Sequence, residues 1–242
     1  MLMEASVSYG SNAQRTPEEV NTSGKDWFTL YTVFARTGSA PQGADVEVEF
    51  DELAGTFADQ EVSFRGTYDV SAMRDEADIL TWVTGPSAED LQAAVRRIRR
   101  TAMFSQTRIA FSAMGVHRTA EFARSHVPAY ALGVPPEDWL VIYPFNRSYD
   151  WYLLDPAKRG KMLREHGLLG QEFPSVLANT TSAFALNDWE WLLALEAPKL
   201  TDLVDMMRKL RESETRYHVR DEIPFYTGRR LKAASEIAEV LL

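Results

Sequence analysis

The stretch DILTWVTGPSAEDLQAAVRRIRRT, residues 78–101, decides the fold. Residues 78–85 carry isoleucine, threonine, valine and tryptophan up to a glycine, the composition of a strand. Ser87, with Asp90 three residues on, then opens an amphipathic helix in the manner of a capping box. The same order returns later in the chain. NDWEW at 187–191 stands where DILTW stands at 78–82, and each precedes a basic amphipathic helix, carrying AAVRRIRR in one case and DMMRKLR in the other.

Working outward, the first half predicts strands at 27–35, 61–70, 78–85 and 108–117 with helices at 46–60 and 87–101. The second half predicts strands at 139–146, 175–186, 188–196 and 223–231 with helices at 155–170 and 199–218. Each half reads βαββαβ, the ferredoxin-like unit. The expected fold class is therefore α+β: duplicated ferredoxin-like domains with antiparallel sheets joined or packed together, as in a dimeric α+β barrel. Residues 1–24, rich in Ser, Asn, Thr, Gly and Glu, read as a flexible tail. The halves fall at 25–118 and 138–242, joined by a connector at 119–137 long enough to be functional, which contains His126.

Composition narrows the function. The 242 residues are 45% hydrophobic and 25% charged, which is ordinary for a folded protein. With 35 acidic against 26 basic side chains the net charge is −9, so neither nucleic acid nor an anionic membrane is an expected partner. Any anionic ligand must be held by local arginines. No run of apolar residues is long enough to span a bilayer and the first residues lack a signal-peptide pattern, so a cytoplasmic location is expected. The absence of cysteine excludes disulfides, iron–sulfur clusters and thiolate ligation. The histidines are His117, His126, His166 and His218; none forms an HxH or HxxxH pair, which leaves a single axial histidine as the metal chemistry still open.

The segment VIYPFNRSYDWYLL, 141–154, concentrates aromatic residues around one arginine. Pro144 lacks an N–H, so a strand end, edge or bulge is expected there, a place from which Tyr143 can be aimed into a cavity. Tyr143 reads equally as an aromatic core residue. His166, in REHG, is either a helix-end histidine favoured by the dipole and capped by Gly167, or an axial ligand. His126 before Pro128 reads as a packing or surface histidine, and Arg147 and Arg216 as solvated charges or anion clamps. Phosphate-loop and GxSxG signatures are absent.

Taken together, YPFNRSYDWYLL, KMLREHG, ANTTSAFALNDWEW and RYHVRDEIPFYTGRR resemble the chlorite dismutase superfamily, and within it the actinobacterial coproheme decarboxylase branch, from about Lys25 to Leu231. The resemblance implies the duplicated ferredoxin-like fold, assembled as a homopentamer. It implies that iron coproporphyrin III is both substrate and redox cofactor, that hydrogen peroxide is the oxidant, and that haem b is the product. It places His166 as the proximal iron ligand, Tyr143 as the redox-active tyrosine and His126 as the distal histidine. Arg147 and Arg216 fall at propionate-binding positions, and Trp151 would pack beside the porphyrin or donate electrons. True chlorite dismutases carry a distal arginine where this chain has Ser182, Ala183 and Phe184, so chlorite decomposition is not expected. Asn146 stands where the resemblance leads one to expect an apolar residue. A ferrochelatase is the candidate for a transient protein contact. The alternatives are a haem carrier or sensor, a peroxidase-like protein without decarboxylase activity, and an oligomer without haem whose aromatics are all core.

Overall fold

The computed structural model describes residues 14–57, 61–119 and 126–242. In chain order the elements are α1 (Pro17–Thr22), β1 (Phe28–Arg36), α2 (Ala44–Thr56), β2 (Ser63–Asp69), β3 (Ile79–Gly85), α3 (Ala88–Ile98) and β4 (Thr107–Val116). They continue as β5 (Trp139–Arg147), α4 (Pro156–Gln171), β6 (Leu177–Ser182), β7 (Trp191–Ala197), α5 (Leu200–Leu210), β8 (Val219–Asp221), β9 (Tyr226–Leu231) and α6 (Ala234–Val240). The chain divides into two compact units, one gathering Gly24–Val116 with Gly228–Leu242, the other Arg15–Ser23 with His117–Thr227.

In the first unit the strand order is β4-β1-β3-β2-β9, and these pairings are antiparallel, with Tyr31 opposite Trp82 and Thr67 opposite Leu231. Ser87 accepts the Asp90 N–H and so caps α3, whose Leu91, Ala94, Val95 and Ile98 enter the core. There they meet Leu30 and Phe34 of β1 and Phe50 of α2, with Phe50 stacked on Phe104 at 5.7 Å. Trp82 is fully buried and satisfies its indole N–H on the Thr29 hydroxyl at 2.7 Å.

In the second unit β5 pairs with β7, and β7 with β6, repeating the β1–β3–β2 arrangement. The fold is a duplicated ferredoxin-like α+β fold. Several elements depart from the expected boundaries for local reasons. The predicted helix 199–218 stops at Leu210, because Ser213 captures the Thr215 N–H and restarts the chain as a 3-10 turn at Glu214–His218. Between β6 and β7 the Asn187 side chain accepts the Trp189 N–H, which makes a turn of residues predicted to be strand. Within the segment read as a tail, Thr16 and Glu19 form a capping box that starts α1. Gly228–Leu242 pack with the first unit, because Ala234, Ile237 and Ala238 of α6 join that core.

The described part of the connector is tied down by buried polar groups. Asn179 and Glu196 are both 0% exposed. The Tyr130 N–H donates to Asn179 Oδ1 at 2.9 Å, Asn179 Nδ2 donates to Glu196 Oε1 at 3.0 Å, and the Glu137 N–H donates to Glu196 Oε2 at 3.2 Å. Leucine at 179 would leave buried donors and an acceptor unmatched. Asn179→Leu should lower the unfolding free energy in urea by about 1–3 kcal/mol and speed hydrogen exchange at the Tyr130 amide.

Candidate active site

Alternate side chains of β5 face α5. Val141, Tyr143 and Phe145 form a cluster with Leu195 of β7 and Leu203, Met206 and Leu210 of α5. Tyr143 is 4% exposed; its ring stacks on Phe225 at 4.4 Å between centroids, and its O–H donates to Met207 Sδ at 3.5 Å. Burial pushes the phenol above its ordinary value of 10, the Glu222 charge adds to this, and Arg211, Arg147 and Arg216 oppose it. The phenol is therefore protonated at neutral pH. The core reading of Tyr143 describes its packing.

Pro144 is not the strand end that its missing N–H predicts. It sits in register opposite Leu192, and the irregularity falls later, between Asn146 and Arg147 on the β8 side. Asn146 explains why an amide stands there. Its Oδ1 accepts the Glu190 N–H at 2.8 Å, and its Nδ2 donates to Asp188 O and Asp221 Oδ2, each at 3.4 Å. The residue thus joins the end of β5 to the start of β7 and to β8.

Just beyond that break, the Arg147 guanidinium lies 4.3 Å over the Trp151 ring and 5.1 Å over Phe145. The Arg147 backbone N–H donates to Glu190 Oε2 at 2.8 Å, yet among the described residues the guanidinium makes no hydrogen bond or ion pair. Burial lowers its pKa from the ordinary arginine value, with Tyr152 and Glu190 acting the other way. A desolvated cation with open donors is matched by an anion supplied from outside the chain. Trp151, 4% exposed, is braced between Arg147 and the His218 ring, whose centroid is 5.2 Å away. Its packing role is thus accounted for within the chain.

His166 lies within α4, which continues through Gly167 to Gln171, so the helix-end reading with Gly167 as its cap does not describe the structure. A Cβ on Gly167 would meet nothing within 4 Å. His166 Nδ1 is 3.1 Å from Thr215 Oγ1. In the tautomer that donates this Nδ1–H, Nε2 carries a free lone pair. Burial drives the His166 pKa down to about 4, and the charges of Arg147 and His126 push the same way. The ring is neutral at pH 7, the form that binds a metal.

His126 is exposed, and neighbouring atoms desolvate its ring enough to lower its pKa. It lies near enough to His166 and His117 for a charge on it to disfavour protonation of both. Arg216, on the 3-10 turn, is half exposed and paired with Glu222, whose other oxygen takes Arg211 at 2.9 Å. Sequence reading missed Arg211, Glu222, Met207, Phe225 and Thr215. Arg211 and Glu222 look like solvated charges in RKLRES and VRDE, and only the turn between them brings them together.

The residues present fit a metal that arrives inside a carboxylate-bearing macrocycle. Among the described residues no three His, Asp or Glu side chains cluster to hold a bare ion. The Arg147 guanidinium is instead in electrostatic reach of both the His166 imidazole and the buried Tyr143 phenol. The segment at 182–184 contributes a half-buried Ser182, a buried Ala183 and a Phe184 that is 46% exposed, with no arginine.

Residues 44–231 match the family model described as chlorite dismutase. The chain is 41% identical over 217 residues to the coproheme decarboxylase of Mycolicibacterium smegmatis, covering 88% of this chain and 94% of that one. It is 24% identical to the coproheme decarboxylase of Thermus thermophilus over 90% of this chain and 95% of the other. Among solved structures, a heme-binding protein from Thermus thermophilus superposes with a TM-score of 0.75 at 23% identity, covering 90% of this chain and 96% of that one.

The protonation state of His166 is directly testable. In an NMR titration of the ligand-free protein its ring should titrate near 4, well below the ordinary 6.5. The unfolded chain then binds this proton more readily than the folded one, so the associated stability is complete above about pH 6.5 and is lost as pH falls toward 4. His166→Gln should flatten that part of the stability–pH curve.

Proposed function

Because the chain belongs to the chlorite dismutase family, we infer that it is a coproheme decarboxylase, converting iron coproporphyrin III into haem b. The observation that carries the assignment of roles is the grouping of neutral His166, unneutralised Arg147 and protonated Tyr143 in one unit. Each of two propionates loses its carboxyl group. With hydrogen peroxide as oxidant the balance for one is –CH2–CH2–COO⁻ + H2O2 + H⁺ → –CH=CH2 + CO2 + 2 H2O.

When bound, the iron porphyrin supplies the oxidising equivalents that peroxide delivers. His166 would hold the iron through Nε2, with Thr215 fixing the ring's orientation from Nδ1. His126, with a pKa below the ordinary value, is neutral at pH 7 and moves the peroxide proton from one oxygen to the other. Tyr143 gives up a proton and an electron together, which its raised pKa favours over simple ionisation, and then regains hydrogen from the propionate β-carbon. When bound, the porphyrin iron would also take up the electron left behind as CO2 leaves. Arg147 and Arg216 hold propionates by charge-assisted hydrogen bonds, and Trp151 braces the Arg147 plane beside the porphyrin. Without a distal arginine at 182–184, chlorite is a poor substrate.

The family resemblance further supports a cytoplasmic homopentamer that receives its substrate from a ferrochelatase. No helix among the described residues is long and apolar enough to cross a membrane.

Adding iron coproporphyrin III, titrating with peroxide and weighing the porphyrin products tests the reaction. Haem b should form by successive loss of two CO2, consuming two peroxides; unchanged coproporphyrin would leave a carrier or sensor as the function. His166→Ala should shift the visible spectrum of the bound ferric complex, and an unchanged spectrum would remove His166 as the iron ligand.

A further inference from the structure

Arg216 already has an anion. Glu222 Oε2 accepts from Arg216 Nη1 in a short contact, and Glu222 Oε1 accepts from Arg211 Nη1 at 2.9 Å, so one carboxylate bridges two guanidiniums. The Glu222 side chain is only 14% exposed, whereas those of Arg211 and Arg216 are 39% and 44% exposed. A carboxylate is thus held inward with two cations on its solvent side. Ion pairs between such half-exposed arginines and a carboxylate add little stability, so the fold alone does not account for the arrangement.

Its position relates it to the candidate site. Tyr143 feels Glu222, Arg211 and Arg216 together, so the three charges are within electrostatic reach of the phenol. Arg211 also lines a cavity of about 340 Å³ whose apolar wall includes Met207 and Phe225, the two side chains that touch Tyr143. Arg211 and Arg216 outnumber Glu222, so the three charges leave a net positive cluster that attracts an external carboxylate. Each guanidinium has further N–H donors beyond the one given to Glu222.

We propose that Glu222 is a built-in counter-ion that competes with a substrate carboxylate for Arg211 and Arg216, which makes Arg211 a second anion-binding residue of the site and Glu222 a determinant of porphyrin selectivity. This rests on the porphyrin reading above. A porphyrin edge that brings a carboxylate to this pair replaces Glu222 on donors it already occupies; an edge that brings only a vinyl group does not, and Glu222 stays closed on both arginines. Glu222 therefore lowers the preference of this edge for four-carboxylate porphyrins over those that have lost a carboxylate.

The test is a fluorescence titration of the full chain with metal-free coproporphyrin III and, separately, with metal-free protoporphyrin IX, which has two propionates. Glu222→Gln keeps the shape and removes the charge. It should tighten coproporphyrin binding roughly 3- to 10-fold, about the range of one partly exposed charge pair, and change protoporphyrin binding less. Arg211→Gln should weaken coproporphyrin binding by a similar factor. If Glu222→Gln, folded by circular dichroism, binds coproporphyrin equally or more weakly, Glu222 orients the arginines and does not compete. Should Arg211→Gln leave binding unchanged, the pair is not an anion site. Failure of the wild-type chain to bind coproporphyrin at all would instead overturn the porphyrin reading.

Discussion

The site depends on the withdrawal from water of one end of β5. Desolvation shifts two side chains of that strand in opposite directions: it locks the Tyr143 phenol in its neutral form, and it lowers the pKa of Arg147, whose guanidinium lies over the faces of Trp151 and Phe145. A phenol that cannot ionise is restricted to losing proton and electron together. A buried guanidinium with open donors is a receptor for a carboxylate. The pairing of Arg147 and Trp151, the bracing of Trp151 by His218 and the Asn146 bridge all maintain this arrangement.

The duplication shows what the two units do differently with one plan. On the first, the helix-facing side of β1 is filled by Leu30 and Phe34 against Phe50 and Phe104, and the space is used up in aromatic packing. On the second, the corresponding strand carries Tyr143 into an apolar cluster within electrostatic reach of Arg147, Arg211, Arg216 and Glu222. The first unit is a packed core; the second holds charges near its core, and so has a use for a ligand that neutralises them.

Much of this was legible in the residues. The helix of 87–101 and the strands about it follow from periodicity and the Ser87 cap, and the βαββαβ repeat from the second basic helix at the matching point, although NDWEW itself is mostly the turn before β7. Local signals failed where a tertiary partner decided the outcome. Pro144 was expected to end a strand, yet the ladder to β7 runs past it. Gly167 was one reading's helix cap, yet α4 continues for another turn. The C-terminal residues belong with the first unit because α6 finds its apolar partner there. His166 and Tyr143 could be singled out by motif, whereas Arg211, Glu222 and Thr215 acquire meaning only when the turn after α5 folds back. Nothing in RKLRES or VRDE distinguishes them from solvent-facing charge.

In the proposed mechanism the buried phenol of Tyr143 passes hydrogen between the propionate and the oxidised porphyrin, and every other role is arranged around that transfer. Phenylalanine at 143 preserves the ring that stacks on Phe225 and deletes only the hydroxyl. With coproheme bound, a single dose of peroxide should then give decarboxylation slowed by at least about 100-fold, while coproheme affinity stays within a few-fold of wild type. Decarboxylation by Tyr143→Phe at the wild-type rate would contradict the mechanism.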